Sequence, residues 1–376
     1  MAFTFLHTAD WQIGKRFGAL PADKAAVLRA QRLDAVDRVA AAAKAAGAGT
    51  VLVAGDVLDS ETLPDTLAGQ LFSRLKSHPK LTWHLLPGNH DPARAGGVWE
   101  SIAAGGLPGN VRVHTSAGVV ELVPGVALLA APLTAKSTSR DPTAFMDAAA
   151  SAPGTIRIGL AHGSVQGFGS AGDANVPINP ARVKSAGLSY LALGDWHGTT
   201  RISDRVWYSG TPEPDGFRDN EPGHVLAVTI EATAAVPKVE RIPTAHFTWL
   251  RRQHRLDRAD GLGPLETEVD GFGSEASRRL IALTLEGLVS LGEYASIEQR
   301  LAMLAPQLFH LQIDTAALET EAATSDLDAL GPGVLGTVAQ RLKAAADGHG
   351  EQAATAQRAL RKLFALARRA EAEGAA

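Results

Sequence analysis

There is no cysteine anywhere in the 376 residues. Disulfides, zinc–thiolate sites and thiol nucleophiles are excluded, so a metal ion must be held by His, Asp, Asn or Gln. Nor is there an excess of basic charge: 36 Lys and Arg stand against 40 Asp and Glu, for a net charge of −4 and a pI near 6.3. No global positive field draws in nucleic acid, so contact with DNA has to come from local patches or from metal ions. Two kinds of segment are also missing. The start, MAFTFLHTADWQ, has no basic stretch leading into a long apolar run and does not read as a signal peptide. No window approaches the roughly 18 uninterrupted apolar residues of a membrane span. The expectation is a soluble, cytoplasmic protein without membrane contact.

Hydrophobic residues make up 45% of the chain, enough for a proper core, and the length fits one large domain with smaller additions. The first half alternates strand-like and helix-like stretches. Strands are predicted at Phe3–His7, Thr50–Ala54, Leu81–Leu86, Val126–Ala131, Ile156–Ala161, Tyr190–Leu193, Arg205–Tyr208 and His224–Ile230, with helical spacing at Asp23–Ala46 and Leu63–Ser77. This alternation predicts a layered α/β domain with mixed sheets. After about residue 245 the character changes. FTWLRRQHRLDR is basic; Arg279–Ser290 reads as a strand, Tyr294–Leu304 as a helix and Leu308–Ile313 as a strand. Gly331-Pro-Gly333 reads as a linker or turn, and Val334–Ala372 as helical with a polar break at Asp347–Gly350.

The most informative regularity is where polar residues fall. TAD, GD, GNHD, AHG and GDWHG each place Asp, Asn or His at the end of a predicted strand, all but the first beside Gly. In α/β sheets ligands collect at the carboxyl ends of strands, and glycine lets the backbone turn tightly there. Singly, each motif is an ordinary turn or helix cap. Together, the five in this order point to one site rich in hard metal ligands.

The set resembles the calcineurin-like metallophosphoesterase superfamily over roughly residues 1–245. Within it, TADWQIGKRF, GDVLDS, GNHD and YSGTPEPDGFRDNEPGH are similar to SbcD-type DNA repair nuclease subunits. Protein phosphatases of the superfamily usually carry Arg after the second Asp of GDxxD and Glu after GNH; here those positions are Ser60 and Asp91. The resemblance implies a four-layer sandwich of two mixed sheets flanked by helices at residues 1–245. A small α/β capping domain at 246–330 and a helical C-terminal segment at 331–376 would follow. It implies two divalent ions, Mn²⁺ first and Mg²⁺ second. One would be held by Asp10, Gln12, Asp56 and His197, the other by Asp56, Asn89, His162 and Asp195, with Asp56 bridging. The family usually has His where this chain has Gln12 and Asp195; amide and carboxylate oxygens still bind hard divalent cations. His90 is expected to face the phosphate rather than bind metal. Asp91 either orients His90 or serves the turn.

Other positions carry two readings each. Lys15, Arg16, Arg251 and Arg252, with Arg255 and Arg258, either contact a DNA backbone or form solvated surface. Trp11, Trp99 and Trp196 stand beside or shortly after ligand positions; core packing is favoured over base stacking. His7, His78, His84, His114, His224 and His246 lack the glycine context and read as structural. The C-terminal stripe Leu335, Val338, Leu342, Leu360, Leu363, Phe364 and Leu366 either docks an SMC-like ATPase, as the resemblance implies, or packs on its own protein. The favoured activity is metal-dependent hydrolysis of DNA phosphodiesters. Its rivals are a small-nucleotide phosphodiesterase or phosphatase, and a non-catalytic DNA- or ATPase-binding adaptor. Oligomeric state is open, a homodimer included.

Overall fold

Alternate side chains of a strand point to opposite faces, and in the first half of the chain both faces are apolar. In β1 (Phe3–Thr8) Phe5 packs in one cluster and Leu6 in another; in β2 (Thr50–Val53) Leu52 opposes Val51 and Val53. Strands of this kind belong in a sheet covered on both sides, and the computed structural model builds two such sheets. It describes residues 2–168, 175–321, 326, 330, 331 and 333–374, and the chain divides into two units. One is Met1–Gly216 with Asn220–Phe247, and the other is Phe217–Asp219 with Thr248–Ala376.

The first unit continues with β3 (Thr82–Leu85), β4 (Val111–Val113), β5 (Gly118–Val123), β6 (Val126–Ala131), β7 (Ile156–His162) and a two-residue pair, β8 (Ser164–Val165) with β9 (Pro177–Ile178). Then come β10 (Tyr190–Gly194), β11 (Thr200–Ser203), β12 (Val206–Tyr208), β13 (His224–Ile230) and β14 (Lys238–Pro243). Its helices are α1 (Ala22–Ala45), α2 (Asp65–Lys76), α3 (Val98–Ala104) and α4 (Arg182–Ser185). One six-stranded sheet runs β14-β13-β1-β2-β3-β4 and the other β11-β12-β10-β7-β6-β5; both are mixed. Phe5, Leu52, Leu128, Ile158, Tyr190 and Leu226 fill the space between the sheets. Val36, Val39, Leu71, Leu75 and Trp99 of α1, α2 and α3 cover the outer face of the first sheet. Met146, Ala186 and Leu188, around α4, cover the outer face of the second. The result is an α/β fold of mixed sheets flanked by helices.

Topology places the site. β1, β2 and β3 run parallel, as do β6, β7, β10 and β12. Parallel strands present their carboxyl ends along one edge, where the loops beginning at Ala9, Ala54, Leu86, Gly163 and Asp195 all start.

The second unit has a three-stranded parallel sheet, β15 (Thr248–Leu256), β16 (Arg279–Ser290) and β17 (His310–Glu321). α5 (Gly263–Gly271) and α6 (Leu291–Leu304) cross between its strands, and α7 (Val334–Ala346) and α8 (Glu351–Gly374) follow. Leu256, Leu265, Ile281, Leu283, Ile297 and Leu301 form its core. A capping box starts α6: Ser290 Oγ accepts from Glu293 N, and Glu293 returns a carboxylate oxygen to Ser290 N. Pro332 of the expected linker lies outside the described residues, as do most of residues 322–329. The C-terminal apolar stripe is split. Leu360 and Phe364 are buried with Leu291 and Ala339, Leu342 and Leu363 are half-buried beside them, and Leu335, Val338 and Leu366 are exposed. No described helix is long and apolar enough to cross a membrane.

Candidate metal centre

Asp10, Asp56 and His162 bring one ligand atom each to within 4.8 Å of one another, and all three are buried. They arrive from three strand ends: Asp10 two residues beyond β1, Asp56 three beyond β2, His162 as the last residue of β7. The loops are laced together, with Asp10 N–H donating to Gly55 O at 3.1 Å and Gln12 N–H to Asp56 O at 2.9 Å. Asp10 (φ 53°), Gln12 (43°), Asp56 (52°) and Asp195 (102°) are left-handed, four of the six such non-glycine residues described. A backbone held this way costs about 1–3 kcal/mol per residue and persists only where its surroundings over-determine it. Glycine is required where these loops approach one another closely. A Cβ on Gly55 would lie 2.2 Å from His162 Nδ1, and one on Gly88 would lie 2.2 Å from Asp56 Oδ1.

The remaining expected ligands surround this core. Asn89 Oδ1 is 3.1 Å from His162 Nε2, and Asp195 Oδ1 is 3.9 Å from the same nitrogen. Asp195 N–H donates to both oxygens of Asp10, at 3.1 and 3.3 Å. His162 Nδ1 donates to Ala54 O at 2.8 Å, which turns Nε2 toward the carboxylates. His197 Nδ1 donates to Asp215 Oδ1 at 3.1 Å, which leaves its Nε2 facing Gln12. Gln12 sits differently from an oxygen ligand. Its amide nitrogen faces His197 Nε2 (3.1 Å) and Asp56 Oδ2 (3.4 Å), while its oxygen accepts from Lys15 Nζ at 3.1 Å. Turning Oε1 inward requires a half-turn of the amide and loss of the Lys15 bond.

His90 stands at the open side, its side chain 45% exposed, with Nε2 3.9 Å from Asp56 Oδ2. Its Nδ1 donates to Asp59 O and its backbone N–H to Asp56 Oδ1, both at 2.9 Å. Asp91 does not orient it. Both Asp91 oxygens accept backbone N–H groups, from Leu58 at 2.9 Å and Gly88 at 2.6 Å, so the residue serves the turn.

Three contributors escaped the motif reading. Asp215 links His197 to the ammonium of Lys15 (2.8 Å), and Ser164 donates to Asp195 Oδ2 at 2.6 Å. Arg32, buried on α1, donates to the carbonyls of Asp10, Trp11 and Glu213. Asp215 lies inside the YSGTPEPDGFRDNEPGH segment and Ser164 directly follows AHG, so a signal existed for both. Arg32 has none, because one charge in a helix reads as solvated surface.

Three of the six basic candidates are engaged within the protein. Lys15 is paired with Asp215; Arg252 forms a two-pronged pair with Glu268, and Arg251 donates to Phe217 O. Arg16, Arg255 and Arg258 are exposed. Trp11 and Trp99 are buried, each 2% exposed, whereas Trp196 is 37% exposed. His7 bonds Tyr190 and Leu193, His78 pairs with Asp37, and His84 with His114, all structural arrangements.

Electrostatics tests whether divalent ions suit these residues. Burial pushes the Asp10 carboxyl up to about 6, with His197 and His162 pulling it down and Asp56 and Asp195 pushing further. Burial alone would lower His162, yet Asp56, Asp10 and Asp195 raise it to about 9. A fully buried imidazole raised against its own burial by three carboxylates marks a pocket of concentrated negative charge. Hard oxygens and imidazole nitrogens in such a pocket fit divalent cations, and binding would displace that proton.

Residues 3–176 match the family model of calcineurin-like phosphoesterases. The chain carries a calcineurin-like metallophosphoesterase domain. No curated protein matches this chain. Among solved structures, the crystal structure of TT1561 of Thermus thermophilus is similar at 14% identity and a TM-score of 0.42, covering 65% of this chain and 100% of that one. The phosphoesterase domain of this chain rests on the family match and on the site's own geometry.

Proposed function

We propose that this chain is a binuclear, Mn²⁺-dependent nuclease that hydrolyses DNA phosphodiesters, similar to SbcD-type repair subunits. The convergence of Asp10, Asp56 and His162, ringed by Asn89, Asp195, His197 and Gln12, is the observation that carries it. Asp10, Gln12, Asp56 and His197 would hold one ion, and Asp56, Asn89, His162 and Asp195 the other. When bound, such ions supply Lewis acidity and offset the charge of an in-line phosphoryl displacement. The chain's own residues do the rest. Ala54 O and Asp215 fix the ring orientations of His162 and His197. Asp59 O accepts the Nδ1–H hydrogen bond of His90, which leaves Nε2 on the open side to meet the phosphate; carrying a second ring proton there, Nε2 would stabilise the developing charge or pass that proton to the leaving oxygen. Ser60 and Asp91, where protein phosphatases of the superfamily carry Arg and Glu, favour a phosphodiester over a phosphoprotein.

In the same reading residues 1–245 are catalytic, 246–330 form a cap, and 331–376 carry exposed Leu335, Val338 and Leu366 for an SMC-like ATPase. The test is cleavage of single- and double-stranded DNA with Mn²⁺ or Mg²⁺, beside bis(p-nitrophenyl) phosphate and small nucleotides. Mn²⁺-dependent DNA cleavage abolished by Asp56→Ala is expected. Turnover of small nucleotides alone would replace the nuclease with a small-nucleotide phosphodiesterase, and DNA binding without turnover would make the chain an adaptor.

A further inference from the structure

Of the tryptophans near the ligand segments, only Trp196 is exposed, 37% against 2% for Trp11 and Trp99. It stands between Asp195 and His197, one residue from a candidate ligand on each side. Its backbone is pinned at both neighbours: Asp195 N–H on the Asp10 carboxylate, and His197 O accepting Thr211 N–H at 3.0 Å. Asp195 is at φ 102°, so the direction in which the chain leaves the metal ligands is set by an uncommon backbone conformation. The ring is braced from one side. It meets Phe168 edge-on at 5.3 Å and 79°, and Phe168 stacks on Tyr208 at 5.6 Å and 23°. Tyr208 is locked in turn, its hydroxyl donating to Gly163 O at 2.8 Å and accepting from Val165 N at 2.9 Å.

A rigid aromatic surface beside a phosphate site has a specific chemical use. Resting on the phosphodiesterase reading above, we propose that Trp196 is the stacking platform for the nucleobase attached to the scissile phosphate. Every base has a π-face, so stacking selects nucleotides over other phosphodiesters without choosing among sequences. No arrangement of base-edge donors is needed. Phe168 and Tyr208 hold the indole still, so little rotamer freedom is lost when a base settles on it. One base on an aromatic side chain is worth roughly 5- to 150-fold in affinity.

The experiment compares dAMP with 2-deoxyribose 5-phosphate, ligands that differ only in the base. Both are titrated calorimetrically into the full chain with Mn²⁺. Wild-type protein should bind dAMP at least about 5-fold more tightly. In Trp196→Ala that ratio should collapse to about 1, and in Trp196→Phe most of it should survive. Trp196→Leu guards against a packing artefact, since it fills the space beside Phe168 without a π-face; it should fold and still lose the ratio. A wild-type ratio near 1, or an unchanged ratio in Trp196→Leu, overturns the proposal. The binding readout separates it from the hydrolytic reading. Base-dependent dAMP binding without Mn²⁺-dependent cleavage sinks the nuclease and leaves Trp196 in place. Cleavage with no base preference does the reverse.

Discussion

His90 and Asp215 show how single residues divide the work at this site. His90 makes no bond from Nε2 shorter than 3.9 Å to the carboxylates, and its ring is half exposed. His90→Ala should therefore keep metal occupancy and lose rate, by on the order of 10²–10⁴-fold. Metal titration beside steady-state kinetics checks this, and loss of a metal would make His90 a ligand. Asp215 never reaches the pocket but holds His197 Nδ1 and neutralises Lys15. Burial would raise its carboxyl; the His197 hydrogen bond and the charges of His197, Arg32 and Lys15 hold it well below the usual range instead. Asp215→Asn removes the charge that strengthens the hold on the imidazole and leaves an ammonium uncompensated 3.1 Å from Gln12. Mn²⁺ affinity should fall about 10–100-fold with thermal stability largely kept; equal affinity in calorimetry would contradict the positioning role. These residues also show what was legible. Asp56, Asn89, His162, Asp195 and His197 each stand next to a glycine at a strand end, and Asp10 holds the same strand-end position without one, so the pattern is local. Arg32 and the inward amide of Gln12 are set by partners as far as 181 and 185 residues away, which no local pattern records.

At the scale of elements, burial decided what could be read. β2, β6, β7 and β10 are buried along nearly their whole length, and their apolar runs announce them. β5 and β14 lie at sheet edges with mostly solvent-facing side chains, and they send no such signal. β15 hides behind its charges: from Arg251 to Arg255 exposed and half-buried residues alternate, so the basic cluster is spread over two faces of one strand. β17 is longer than expected, His310–Glu321 against Leu308–Ile313. Its second half, DTAALETE, is rich in helix formers, and parallel pairing of Asp314 to Thr284 through Glu321 to Ser290 overrides that preference. In α8, Phe364 is 3% exposed while Leu366, two residues on, is 57% exposed. Phe364→Ala should destabilise the docking of α8 on Leu291 and Ala339 by about 3–5 kcal/mol. Leu366→Ala should cost no more than about 0.5 kcal/mol. Amide exchange across Glu351–Ala365 measures both; equal protection in the two variants would mean that α8 is not held by this cluster.

For the molecule as a whole, stability should depend on pH through histidines that are not among the candidate metal ligands. Burial pushes His7 down to about 3 and His114 to about 4; burial, with the charges of His114 and Arg112, takes His84 to about 3. The geometry agrees. His7 accepts from Tyr190 and donates to Leu193 O, which uses both nitrogens of a neutral ring. His84 and His114 stack at 7° and share one hydrogen bond of 3.0 Å, which needs one donor and one acceptor. A histidine whose folded pKa lies below its unfolded value, about 6.5, takes up fewer protons folded than unfolded between those two values. Its stabilising contribution is then complete above about pH 6.5 and is lost as the pH falls toward 4 and 3. His162 has the opposite sign, and ion binding shifts it, so wild type alone cannot isolate the effect. A His84→Gln/His114→Gln variant can, because glutamine does not titrate. Whatever that variant costs at pH 7.5, its deficit against wild type in urea unfolding should shrink by about 2–3 kcal/mol at pH 5.5, roughly one pKa unit for each of two rings. Were the gap the same at both pH values, the paired imidazoles would not be the acid-labile element of the fold.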